Sequence, residues 1–295
     1  LDFHRKYYHP SNSYLYLYGD VDMVERLEWI DAHYLSHFEK TEVLSQIPLQ
    51  KPFKKPVEVC REYPITREEP VDHNTYFSYN ISVGNLLDRQ EYIAFQILDY
   101  ALLSSPGAPL KQALLDAGIG QDVYGSYENG ILQPYFSVIA KNAQMGQKDD
   151  FLQVVEDTLK KLVEDGLDKK TLCAGLNYYE FKYREADFGS YPAGLMYGLQ
   201  VMDSWLYDEG APFIHIEAGE TYRQLRRLTE TDYFERLIEN RLLQNPHKSL
   251  LTLAPTPGLA EKREEELKRR PGSLCPTAGR SRSLKDDPAA FQNGY

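Results

Sequence analysis

Two segments near opposite ends of the sequence carry one pattern. Pro10-Ser11-Asn12-Ser13-Tyr14-Leu15-Tyr16-Leu17 and Pro246-His247-Lys248-Ser249-Leu250-Leu251-Thr252-Leu253 both read Pro-x-x-Ser-x-Leu-x-Leu. Each follows a helix-like stretch and runs into a turn signal. A proline stops the helix, a serine can satisfy a free backbone group, and alternate leucines mark one face of a strand. A corner used twice constrains the architecture: it closes two successive α+β domains, each expected to have a mostly antiparallel sheet packed against helices. The expected division is residues 1–41 as the end of one domain, 42–56 as a linker, and 57–254 as a second domain.

The pass between the two corners fits that division. Tyr14 to Tyr18 alternate aromatic and aliphatic residues, which predicts a strand over residues 13–18. Asp22 is placed to cap a helix carrying Val24, Leu27, Ile30, Tyr34 and Phe38 on one face. Residues 41–56 hold Pro48, Pro52 and Pro56 with no periodicity, the signature of an extended linker. Strands are predicted over 57–65 and 74–83, and helices over 88–103 and 110–117. A hairpin is predicted from residues 120–127 and 131–141, turning tightly at Asn129-Gly130. Three or more helices follow over 148–245. A last strand over 248–253 is expected to end at Pro255 and Pro257.

Composition excludes several classes. The 295 residues carry a formal net charge of −11, opposite to what a nucleic-acid surface requires. The cysteines, Cys60, Cys173 and Cys275, are three and far apart, with no metal spacing, so neither a disulfide framework nor a cysteine zinc site is expected. There is no apolar run of membrane-spanning length and no signal-peptide pattern. The expected compartment is the cytoplasm, or an organelle matrix in a eukaryote.

Several segments together resemble the insulinase (pitrilysin) type of zinc metallopeptidase, its presequence-protease-like branch especially. They are Phe3-His4-Arg5-Lys6-Tyr7-Tyr8-His9-Pro10-Ser11-Asn12-Ser13 with Leu15-Tyr16-Leu17-Tyr18-Gly19-Asp20, Gly107-Ala108-Pro109-Leu110 with Ala113-Leu114, and residues 118–127. Pro192-Ala193-Gly194 and Asn245-Pro246-His247 complete the set. The resemblance covers roughly residues 1–267 and implies four homologous α+β domains in two halves, joined by a helical hairpin and closing around a peptide. Zinc would sit in the first domain on a His-x-x-Glu-His motif. This chain would supply the end of that domain, the non-catalytic second domain as chamber wall, and, over 255–270, the start of the hairpin. Its partners would be peptide substrates, the first domain and the C-terminal half of the same enzyme, with neither nucleic acid nor membrane.

The sequence departs from the family in two places. No His-x-x-Glu-His occurs, so zinc is expected outside this chain and none within it. After Arg270 the charged helix gives way to a stretch rich in Pro, Gly, Ser and Arg, and residues 271–295 read as a disordered or aberrant tail. Leu1, not Met, stands first. The expectation is a truncated or frame-shifted fragment, testable by sequencing the gene upstream of Leu1 and past Arg270.

Within the chain, His33 and His37 stand four residues apart, as two imidazoles sharing a zinc would on one helix face. Ser36 occupies the position of the catalytic Glu, and the plainer reading is a surface pair near a helix C-terminus. A metal hydrolase built on this pair would carry stoichiometric zinc. Neither Gly-x-Ser-x-Gly nor a dinucleotide loop occurs. Of the 23 tyrosines, Tyr124, Tyr127 and Tyr135 on the predicted hairpin are the candidates for contact with peptide, the plainer role being core packing. The main alternative function is a catalytically inactive peptide-binding or scaffold protein of the same fold.

Overall fold

The computed structural model describes residues 1–186 and 188–269. The elements in chain order are helices α1 (Asp2–Tyr7) and α2 (Met23–His33), strands β1 (Val57–Ile65) and β2 (Thr75–Ser82), and helices α3 (Arg89–Asp99) and α4 (Pro109–Asp116). Strands β3 (Asp122–Glu128) and β4 (Tyr135–Ala143) follow, then helices α5 (Lys148–Asp165), α6 (Lys169–Glu185), α7 (Ala193–Trp205), α8 (Gly219–Leu228) and α9 (Tyr233–Leu237). Strand β5 (Lys248–Pro257) and helix α10 (Leu259–Arg269) end the series. The five strands form one sheet in the order β1-β5-β2-β4-β3, and the pairings of β2 with β4 and β5 and of β3 with β4 are antiparallel. The fold is α+β.

Two compact units divide the chain. The larger comprises Leu1–Arg61 and Asp72–Ala254. Its core forms because strand alternation gives β2 and β4 one wholly apolar face: Phe77, Tyr79 and Ile81 on β2, Phe136, Val138 and Ala140 on β4. Onto it pack Ile93, Phe95 and Ile97 of α3, Leu110 and Leu114 of α4, Phe151 and Val155 of α5, and Leu176 of α6. Asp22, Asp88 and Asp168 each accept bonds from the first free N–H groups of α2, α3 and α6. The smaller unit comprises Glu62–Val71 and, among the described residues, the chain from Pro255 to Arg269. Within it the Glu62 carboxylate accepts from Thr256 Oγ1 at 3.2 Å and its carbonyl accepts from Arg263 at 3.1 Å. A helix, α10, runs through the stretch expected to begin a hairpin. Cys275 and the expected tail over 271–295 lie outside the described residues.

Four expectations are corrected. Residues 13–18 are extended but join no sheet among the described residues. A strand needs a neighbour for its backbone groups, and here the tyrosines rest on α7 instead: the Tyr14 ring stands edge-on to Trp205 at 4.7 Å and Tyr18 lies 6.1 Å from Tyr197. Of the two matching corners, only the second is therefore a ladder strand. The helix expected to reach Phe38 ends at His33, because Tyr34 leaves helical geometry (φ −137°, ψ −63°), and a short 3-10 turn over Leu35–His37 follows. The hairpin does not turn at Asn129-Gly130; neither has positive φ. Residues 129–134 form a longer loop drawn onto the end of β2, where Val83 and Leu86 donate to the carbonyls of Pro134 and Leu132 at 2.7 and 3.1 Å. Finally, β5 continues through Pro255 to Pro257. Its pairing with β2 stops at Leu253, and past that point β5 has a neighbour on one side only, where proline is tolerated.

Candidate functional site

The same alternation that builds the core leaves the opposite face of the sheet free of it. Register places Ser249, Asn80, Ser137 and Ser126 side by side across β5, β2, β4 and β3. The next row is Leu251, Ser78, Ile139 and Tyr124. None of these residues enters the hydrophobic core cluster. Asn80 organises the face: its Oδ1 accepts from Ser137 Oγ at 2.6 Å and from Ser78 Oγ at 2.9 Å, while its Nδ2 donates to the Ser78 carbonyl at 3.1 Å. Ser126 Oγ donates to the Glu128 carboxylate. Among the described residues no hydrogen bond of these serines goes to an imidazole, the partner that would activate a hydroxyl. The face carries hydroxyls, an amide and flat side chains, although Ser137 itself is only 2% exposed.

Strand β3 is an edge of the sheet, with one row of backbone N–H and C=O groups turned away from β4. Gly125 fixes where that edge lies. A side chain there would collide with Leu103 and would put its Cβ 2.5 Å from Asp99 Oδ1, so only glycine lets the strand settle on the turn after α3.

The structure separates the three candidate tyrosines. Tyr124 lies on the open face, with the Lys141 ammonium 4.7 Å from its ring centroid. Tyr135 stands at the start of β4 opposite Glu128, on the same face, and burial, then Glu128, raises its phenol above the usual value. Tyr127 points the other way. Its ring packs on Phe95 at 5.5 Å, and burial followed by the fields of Tyr92 and Glu91 raises its phenol strongly.

His33 and His37 are not on one helix face: His33 closes α2 and His37 closes the 3-10 turn beyond it. His33 stacks on Trp29 at 4.6 Å, with its Nδ1 bonded to the Trp29 carbonyl at 2.8 Å. Among the described residues no three or more His, Cys, Asp or Glu side chains gather as metal ligands. Two imidazoles without a carboxylate do not fit a hydrolytic zinc centre. His4 stacks on Tyr8, His9 accepts from the Ser11 N–H at 3.1 Å, and His247 meets the edge of Phe53. Cys60 is exposed and Cys173 half-buried, both free thiols. No helix among the described residues is long and apolar enough to cross a membrane.

Residues 1–175 match the family model described as the Peptidase M16 inactive domain. The chain is 45% identical over 270 residues to Protein HypA of Clostridium perfringens, covering 92% of this chain and 28% of that protein. It is 34% identical over 275 residues to Presequence protease 1, chloroplastic/mitochondrial, of Arabidopsis thaliana, covering 90% of this chain and 25% of that one. The crystal structure of a peptidase M16 inactive domain from Pseudomonas fluorescens superposes with a TM-score of 0.54 at 15% identity, over 81% of this chain and 52% of that chain, a likeness of fold. This chain belongs to the M16, insulinase-type metallopeptidase family and carries its inactive domain. It spans about a quarter of the length of these curated relatives.

Proposed function

We propose that this chain is a non-catalytic part of a zinc-dependent metallopeptidase that degrades unstructured peptides, and that it forms part of the wall of the peptide chamber. The observation that carries the reading is the one-sided sheet. Helices pack on one face, while the other offers serines, Asn80, Tyr124 and Tyr135 beside the edge strand β3. An extended peptide can add to such an edge through main-chain bonds, with flat side chains resting on the adjoining face. In this reading zinc and its catalytic carboxylate would be held by the remainder of the longer protein, and the metal would supply polarisation of the scissile carbonyl there. This chain's residues only bind and orient. The partners are peptides and the remaining domains, and the compartment is the cytoplasm or an organelle matrix.

Hydrogen exchange on the longer protein tests the proposal. Addition of an unstructured peptide should protect amides over Asp122–Glu128 and shift the aromatic resonances of Tyr124 and Tyr135. Unchanged exchange in β3, with peptide demonstrably bound elsewhere, would refute it.

A further inference from the structure

The 129–134 loop does more than join β3 to β4. Gln133 sits between two anchored carbonyls, those of Leu132 and Pro134, which accept from the N–H groups of Leu86 at 3.1 Å and Val83 at 2.7 Å. Its backbone is fixed, and its side-chain amide is left to bond elsewhere. That amide meets the main chain of Gln50 twice. The Gln50 N–H donates to Gln133 Oε1 at 2.7 Å, and Gln133 Nε2 donates to the Gln50 carbonyl at 3.1 Å. One side chain thus serves both backbone groups of a residue, as a neighbouring strand does in a ladder. A pair of this kind recognises main chain and is indifferent to the side chain it carries.

The segment that fills this place is weakly held. Among the described residues, these two are the only hydrogen bonds made by the main chain over residues 42–56. Pro48, Pro52 and Pro56 have no N–H to give a ladder, and each turns the residue before it toward extended geometry. Ile47 is 81% exposed and Leu49 55%, so neither gains much from burial.

Between this strap and the loop lies a groove of about 370 Å³. Ile47, Leu49, Ile131, Tyr135 and Tyr207 are exposed apolar side chains, and all five line it. Scattered singly they would be ordinary surface residues; gathered around one groove they mark a place for an apolar group. No Asp, Glu, Lys or Arg lines the groove. Its floor continues the open face, because Ser82 pairs with Tyr135 and Tyr135 with Glu128 at the end of the sheet.

We propose that this groove binds an extended peptide segment bearing apolar side chains, that the Gln133 amide holds the peptide's main chain, and that residues 47–50 occupy the site until peptide displaces them. The inference rests on the reading of this chain as a peptide-binding part and adds to it a second subsite with its own occupant. The bonds to Gln133 are exchanged one for one. An incoming segment that buries an apolar side chain more fully than Leu49 is buried therefore gains by the exchange. Attachment to the same chain gives the strap an effective concentration of roughly millimolar, which sets the level at which a free peptide competes.

The strap's own sequence supplies the probe. Acetyl-Ser-Gln-Ile-Pro-Leu-Gln-Lys-Pro-Phe-amide, the sequence of residues 45–53, is titrated into the 295-residue chain and followed by the side-chain amide resonances of Gln133 and the exchange of the Gln50 N–H. Saturation in roughly the millimolar range is expected, with the Gln133 resonances moved and Gln50 exchange accelerated as the strap leaves. Gln50→Pro removes the strap's donor and leaves Gln133 in place, so it should tighten binding about two- to tenfold. Gln133→Leu added to Gln50→Pro should cancel that gain with the circular dichroism spectrum unchanged. A probe with Ser in place of Ile and Leu should bind about tenfold more weakly. Protection of Asp122–Glu128 amides with Gln133 unmoved would overturn this site and leave the β3 edge standing; movement of Gln133 with β3 exchange unchanged would support this site and count against the edge. No saturation up to about 10 mM, a Gln50→Pro variant that binds no tighter, or equal binding of the Ser-substituted probe would overturn the proposal.

Discussion

The ring of Tyr16 occupies the space where Gly198 of α7 would otherwise carry a side chain: a Cβ there would stand 2.9 Å from the ring's Cε1. Tyr18 takes the same position over Gly194, one turn earlier. Two glycines on one face of a helix thus admit two tyrosines from a segment that has no ladder of its own. Gly198→Ala should loosen this seat at a local cost of about 1–3 kcal/mol, while the added helix propensity leaves global unfolding little changed. Chymotryptic cleavage after Tyr14, Tyr16 and Tyr18 should accelerate about tenfold. Cleavage at the parent rate would mean the rings are not held by the glycines.

Gly125 makes a harder demand, because what it meets is the packed side of the sheet. Gly125→Ala is expected to lower the stability of the larger unit by about 1–3 kcal/mol, since Leu103 is fully enclosed and has nowhere to move. Urea denaturation measures this. The loss should be larger for Gly125→Val, and protection of the β3 amides should fall along with it.

The titration behaviour of the interior has two opposing parts. His215 has a folded pKa of about 4 against an ordinary 6.5, so the stability it contributes is complete above pH 6.5 and is lost as pH falls toward 4. Burial raises Asp99 and Asp203 from 3.8 to about 6, so their neutral forms favour the native state and stability is lost as pH rises through 6. Compared at about pH 4.5 and about pH 7, His215→Phe should gain most in the acid, and Asp99→Asn should gain most at neutrality. A His215 ring resonance titrating near 6.5 would contradict the first half.

Lys248 opens β5 on its packed face, 5% exposed, with Nζ donating to the Leu243 carbonyl at 3.0 Å and lying 5.6 Å from the Tyr79 ring. Burial lowers its pKa, an effect that nearby Glu156 opposes and Lys160 reinforces. No carboxylate pairs with this ammonium among the described residues, and a lone buried charge carries a desolvation cost that an apolar group of similar length does not. Lys248→Met should therefore leave the unfolding midpoint equal or higher; a drop of more than about 2 kcal/mol would mean that the ammonium is needed there.

The helices and central strands were legible in the sequence because each signal was local: an Asp before an apolar periodic run, alternation in residues 75–82, a glycine after Asp165. Residues 13–18 misled because alternation describes a strand's faces and says nothing about who pairs with it. Tyr124 and Tyr127 read alike in sequence, yet an odd separation on a strand sends them to opposite faces. The burial of His215 could not be read from the sequence either. Its neighbours Tyr92 and Arg89 lie far away in the chain, and a lone imidazole between Ile214 and Ile216 carries no motif.

The hydroxyl row gathered around Asn80 has a consequence for discrimination. Serine side chains exchange one partner for water or for another with little net change in free energy. A surface paved with them has shallow minima, so a chain lying on it could shift along its own length without being arrested at a preferred side chain. Selectivity would then have to arise elsewhere, from how much chain can be accommodated, and broad tolerance of sequence would be a property of the paving itself.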